Sequence, residues 1–157
     1  GIADAATALV GQSLGAGRMR LARSFGRITL SMGVAIMTLM AVVMYVFSPA
    51  LRGVMSPDGA VCCRTVDILR IEALAEPMFA ASIICYGIFV GAGDTTVPCT
   101  MNLASIWGVR IVLAALLSGS YGLQGVWIAM AIELTFRGVI FLIRFHSDRW
   151  MKGKKIV

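Results

Sequence analysis

Residues 72–98 read EALAEPMFAASIICYGIFVGAGDTTVP, and this stretch decides the fold. It is an apolar run long enough to cross a bilayer. It opens on the Glu76-Pro77 step and closes on the polar turn Gly91-Ala92-Gly93-Asp94-Thr95-Thr96. A carboxylate at the edge of hydrocarbon is expensive and points to function. Pro77 removes one helical N–H and leaves the carbonyl of Ala73 without its partner, which a membrane helix tolerates where neighbours or water satisfy it. The stretch therefore reads as a bent or broken helix, with the rest of the chain as its support.

Composition agrees. Of 157 residues, 59% are hydrophobic and 14% charged, and the mean hydropathy is +0.86, far from the balance of a soluble domain. The net charge of +6 raises the question of nucleic acid, but the basic residues flank apolar runs and are not interleaved with aromatics on a solvated face. No nucleic-acid partner is expected. Cys62, Cys63, Cys85 and Cys99 lack CxxC spacing and the single histidine is His146, so no metal site is expected. The thiols read as apolar, reduced residues, a vicinal Cys62-Cys63 bridge being the rarer alternative. No nucleophile with its base, no metal-ligand cluster and no phosphate-cradling loop stands out, so the chain has no catalytic residues to nominate and does not read as an enzyme. It opens on Gly1 without an initiator Met or a secretory signal, and is expected to be a piece of a longer protein.

Outward from the central stretch, the spacing predicts an all-α bundle of about four complete spans plus the end of a fifth. Residues 1–17 read as the end of a truncated helix carrying small residues on one face at Ala3, Thr7, Gly11 and Gly15. Gly15-Ala16-Gly17 stops it, and Arg18, Arg20, Arg23 and Arg27 follow, read as a topogenic loop in preference to a lipid-headgroup site. Spans are expected at about 28–47, 69–90, 98–117 and 123–145. The first ends at Ser48-Pro49, and residues 50–70, with the turn Ser56-Pro57-Asp58-Gly59, read as an aqueous connection. Residues 118–122 read as a short hairpin, and 146–157 as a basic tail anchored by Trp150. Asp94, with Thr95 and Thr96, reads as the cap of the third span.

The arginines of 18–27 and the basic tail fall on one side of such a bundle, against Arg52, Arg64 and Arg70 on the other; the first side is expected to be cytoplasmic. Within the spans, Glu133 and Arg137 are four apart, with the acid N-terminal, and Arg110 lies at a similar depth on the neighbouring helix. Arg110, Glu133 and Arg137 are therefore expected to form one buried ionic cluster. It serves either as a packing pair with its supporting network or as part of a substrate or proton path. Glu76 is the other candidate for transport or coupling, with no evident partner beyond Arg70 and the surroundings of Glu72.

Three motifs in order, Leu9-Val10-Gly11-Gln12-Ser13-Leu14-Gly15-Ala16-Gly17-Arg18, then Gly91-Ala92-Gly93-Asp94-Thr95-Thr96-Val97-Pro98, then Gly125-Val126-Trp127-Ile128-Ala129-Met130 with Arg137 and Arg144-Phe145, resemble the multidrug and toxic compound extrusion (MATE) transporters. The resemblance covers nearly the whole chain. It implies a partial C-terminal lobe of a twelve-helix antiporter, from the end of helix eight through helix twelve, with the N-terminal lobe missing. It further implies export of organic cations or amphiphilic drugs across the plasma membrane in exchange for H⁺ or Na⁺ by alternating access, with no other cofactor. Some members carry an aspartate in helix ten that contributes to a cation site, at a position near Phe79 here; this chain departs from that pattern, and Glu76, one turn earlier, is the candidate substitute. The rival readings are a lipid-linked oligosaccharide flippase of related architecture and a small non-transporting membrane subunit.

Overall fold

The computed structural model describes the backbone of residues 1–55, 59–147 and 150, with side chains for 1–48, 67–147 and 150. The side chains of Arg52, Cys62, Cys63 and Arg64, the turn at 56–58 and the tail at 148–149 and 151–157 lie outside the described residues.

Every described element is helical: α1 (Ile2–Gly15), α2 (Met19–Met55), α3 (Gly59–Gly91), α4 (Thr96–Ser105), a π-helical segment (Ile106–Ile111), α5 (Val112–Tyr121) and α6 (Leu123–His146). Four stretches among the described residues are long and apolar enough to cross a membrane: Met19–Ser48, Asp67–Gly91, Thr96–Tyr121 and Leu123–His146.

Two of the turns share one construction. Gly15-Ala16-Gly17-Arg18 ends α1 with Arg18 N–H donating to Ser13 O and Gly17 N–H to Leu14 O. Gly91-Ala92-Gly93-Asp94 ends α3 with Asp94 N–H donating to Phe89 O and Gly93 N–H to Val90 O. The six-to-one bond of each satisfies an orphan carbonyl. It requires the left-handed backbone that Gly17 (φ 72°) and Gly93 (φ 80°) supply. Both turns lie at the end of the bundle that carries Arg18, Arg20, Arg23 and Arg27, called here the arginine end.

Several boundaries differ from expectation. Ser48-Pro49 does not stop α2, which runs on to Met55, and α3 begins at Gly59, so residues 50–70 are mostly helix and not an open connection. The hairpin at 118–122 shrinks to Gly122 alone (φ 58°), with α5 helical through Tyr121. The helical geometry is not interrupted at Pro77, inside α3, but in the third span, where the π segment sits between α4 and α5.

The central post is α3, with 56% of its apolar window buried against 11% for α2 and 6% for the third span. Its arginine-end half packs Ile84, Cys85, Ile88 and Phe89 against Val10 of α1 and Phe141 and Phe145 of α6. The expected small-residue face is used there. Thr7 Oγ1 donates to Gly87 O at 2.9 Å, and a Cβ built on Gly87 or Gly91 would meet Ala3 O at 2.6 Å or Thr7 O at 2.5 Å. Such backbone proximity is the use of small residues between membrane helices. Trp150, expected at an interface, is instead 1% exposed, stacked on Phe145 and donating its indole N–H to Phe145 O at 3.2 Å.

Candidate functional site

Three polar groups lie between α3, the third span and α6, stacked along the bundle. Nearest the arginine end, Arg144 of α6 pairs with Asp94 of the turn after α3 and lies over the Phe89 ring, 5.6 Å from its centroid. Asp94 was expected to cap α4. Thr95 is the cap residue and makes no side-chain cap bond, so the carboxylate serves a long-range ion pair instead.

At mid-depth sits Glu133, with no exposed surface at all. Its Oε1 accepts a hydrogen bond from Ser105 Oγ at 2.7 Å and lies 3.4 Å from Arg137 Nε; its Oε2 is buried without a partner among the described residues. Arg137 donates to Asn102 Oδ1 at 2.6 Å and lies over the Phe79 ring at 5.7 Å. One turn of spacing on α6 makes the acid–base pair, while α4 supplies both neutral partners. A buried ion pair is tolerated only with such additional hydrogen bonds. Beside it, Ser82, Tyr86, Asn102 and Arg137 line a cavity of about 150 Å³.

Arg110 does not join this pair. Its guanidinium donates to the sulfur of Met130, one turn before Glu133 on α6. In an α-helix, Arg110 would stand about 140° round the axis from Ser105, five residues earlier. In π geometry, residues five apart come nearly into line, because the hydrogen bonds run from i to i+5. The π segment thus turns Arg110 toward the α6 side of its helix but leaves it beyond reach of Glu133.

Glu76 and Glu72 are four apart on α3, which places them on one face of that helix. Glu72 carries a buried Oε2 with no hydrogen-bond partner among the described residues. Sequence reasoning nominated Glu76 and passed over Glu72, although like charges at this spacing on an apolar helix were a readable signal. Arg70, the other partner considered, lies over the Tyr45 ring of α2 at 5.2 Å. Among the described residues no group of three or more His, Cys, Asp or Glu side chains is placed to hold a metal ion.

Comparison with known proteins supplies the family. The MatE family model matches residues 1–116. The chain is 31% identical over 152 residues to the probable multidrug resistance protein NorM of Deinococcus radiodurans, covering 92% of this chain and 34% of that protein. It is 30% identical to the probable NorM of Pseudomonas aeruginosa, covering 93% and 31%. A multidrug resistance MATE family transporter of the MOP superfamily, solved in an inward-facing conformation, has the same fold at a TM-score of 0.76 and 15% identity, over 97% of this chain and 36% of that one. The chain spans about a third of the length of these relatives. These matches, carried by a family model over most of the sequence, establish that the chain belongs to the MatE family of membrane transporters and not to a family of enzymes.

Proposed function

We propose that this chain forms one wall of a secondary active antiporter. The intact protein would export organic cations or amphiphilic drugs in exchange for H⁺ or Na⁺, alternating between two openings. The names of the NorM relatives support the substrate class. The observation that carries a coupling role is the pair Glu72 and Glu76, four apart in a candidate span, with one carboxylate oxygen of Glu72 buried without a hydrogen-bond partner among the described residues. Two carboxyl groups one turn apart in a span offer a place that a proton, a sodium ion or a cationic drug can occupy in turn. Glu133 remains a candidate on the same path, but its pairing with Arg137 and Ser105 favours a positioning role.

The plasma membrane is the proposed location, with the arginine end cytoplasmic, because Arg18, Arg20, Arg23, Arg27 and Arg144 cluster there. The test is exchange in inverted vesicles containing the full-length protein, driven by a pH or sodium gradient and read with a fluorescent organic cation. Glu76→Gln and Glu72→Gln should each lower gradient-driven export at least tenfold while the protein still binds the dye. Unaltered exchange in Glu76→Gln would remove it from the mechanism.

A further inference from the structure

A second cavity lies away from this path, between α2 and α6 at the arginine end. It measures about 360 Å³, within the range of small-molecule sites. Its lining divides by depth. Arg23, Arg27 and His146 stand at the mouth, at the start of α2 and the end of α6, and Leu30, Val34 and Leu142 line the part that continues into the span. Arg23 and Arg27 are four apart and share one face of α2. Between them in sequence, Gly26 leaves room for the Phe145 ring, which a Cβ there would meet at 3.3 Å, so a side chain of α6 packs on the α2 backbone just beneath the charges.

We infer that this groove binds an anionic phospholipid, its phosphate held by Arg27 and Arg23 and its acyl chain laid along Leu30, Val34 and Leu142. A guanidinium pair matches a phosphate in charge and donor geometry. Basic pockets between membrane helices on one face take anionic headgroups. The position of the charges fits: they sit at the first turns of a span, at headgroup level, while the apolar lining begins about one turn deeper. No acidic side chain is among the described residues that line the groove. Arg23 holds a further interaction of its own, so Arg27, which is exposed, carries the larger share. Arginines that only set topology need no groove; here the charges cap an apolar slot between two helices.

The test is lipid retention by the full-length protein, purified in mild detergent and exposed to mixed micelles of phosphatidylglycerol or phosphatidylcholine, with bound lipid counted by native mass spectrometry. Phosphatidylglycerol should be held and phosphatidylcholine should wash out. Arg27→Gln should weaken phosphatidylglycerol binding about fivefold, the effect of one basic residue near an anionic surface. Val34→Trp, which fills the slot without touching charge, should weaken it comparably, whereas Arg18→Gln, outside the groove, should not. Inorganic phosphate should compete poorly, since it lacks the acyl chain. Thermal unfolding in the same detergent confirms that each variant is folded. Equal retention of both lipids, an equal loss in Arg18→Gln, or full competition by phosphate at the lipid's own concentration would overturn the assignment.

Discussion

Glu133 shows at residue scale how this bundle handles charge. A carboxyl group with no exposed surface is tolerated only if its surroundings answer it, and three side chains do so in sequence: Ser105 and Arg137 on the carboxyl group, then Asn102 on the guanidinium. Removing one member should leave the others unpaired. Glu133→Gln is expected to lower stability by about 1–3 kcal/mol, the range for a buried polar group losing its partner. Arg137→Met added to Glu133→Gln should recover part of that loss, a coupling that thermal unfolding of the four proteins of the cycle in detergent measures. The Asp94–Arg144 pair makes a second case. Asp94→Ala should destabilise by about 1–3 kcal/mol by stranding Arg144. Thr95→Ala, at the cap position but with no side-chain cap bond, should stay within about 0.5 kcal/mol of the parent in the same melts. The contrast between these pairs explains what was legible at this scale. Glu133 and Arg137 are four apart on one helix, and helical period alone brought them together. Asp94 and Arg144 are fifty residues apart, and the local pattern around Asp94 looked like a cap because nothing local could reveal its distant partner.

At the scale of elements, apolar length located the spans well, while local punctuation misplaced several of their ends. Pro49 and Pro77 both lie inside helices. A proline removes one hydrogen bond, and a long apolar helix buried or bathed in hydrocarbon has no better state for the residues beyond it. The π segment was invisible for a related reason: Ile106–Ile111 holds no proline and its one glycine, Gly108, does not announce a π turn, because the register is set by what Ser105 and Arg110 meet on α6. Glycine is where sequence and packing agree only in part. Gly119 and Gly125 both flank the α5–α6 turn, but a Cβ on Gly119 meets nothing within 4 Å, whereas one on Gly125 would stand 2.3 Å from Leu117 O. Gly125→Ala should therefore force the two helices apart and lower stability by about 1–3 kcal/mol, as overpacking does. Gly119→Ala should raise it by up to about 1 kcal/mol through helix propensity. Thermal unfolding of the two variants in one detergent separates a glycine needed for close approach from one that is merely present.

For the whole molecule, the uneven burial of the four spans carries the argument. One helix, α3, is surrounded by α1, α2 and α6, and the third span stands at the margin with Trp107 and Leu116 each 68% exposed. Such a surface is stable only where hydrocarbon or further helices of the same protein cover it, as expected for a chain that spans about a third of its relatives. Four crossings also fix which ends lie together. The α1–α2 turn, the α3–α4 turn and the end of α6 share the arginine end, and the α5–α6 turn lies at the other. In a cysteine-free version of the full-length protein, single cysteines at Arg18 and Ser147 should therefore react from the same side of a sealed vesicle with a membrane-impermeant maleimide, and one at Ser120 from the other. The proposed orientation adds that the first two react in inverted vesicles and the third in right-side-out ones. Labelling of Arg18→Cys and Ser147→Cys from opposite sides would break the four-span topology itself. Labelling of both from the side opposite the cytoplasm would keep the bundle and reverse only its orientation, because burial among the helices fixes their mutual order while the surrounding charge fixes their direction.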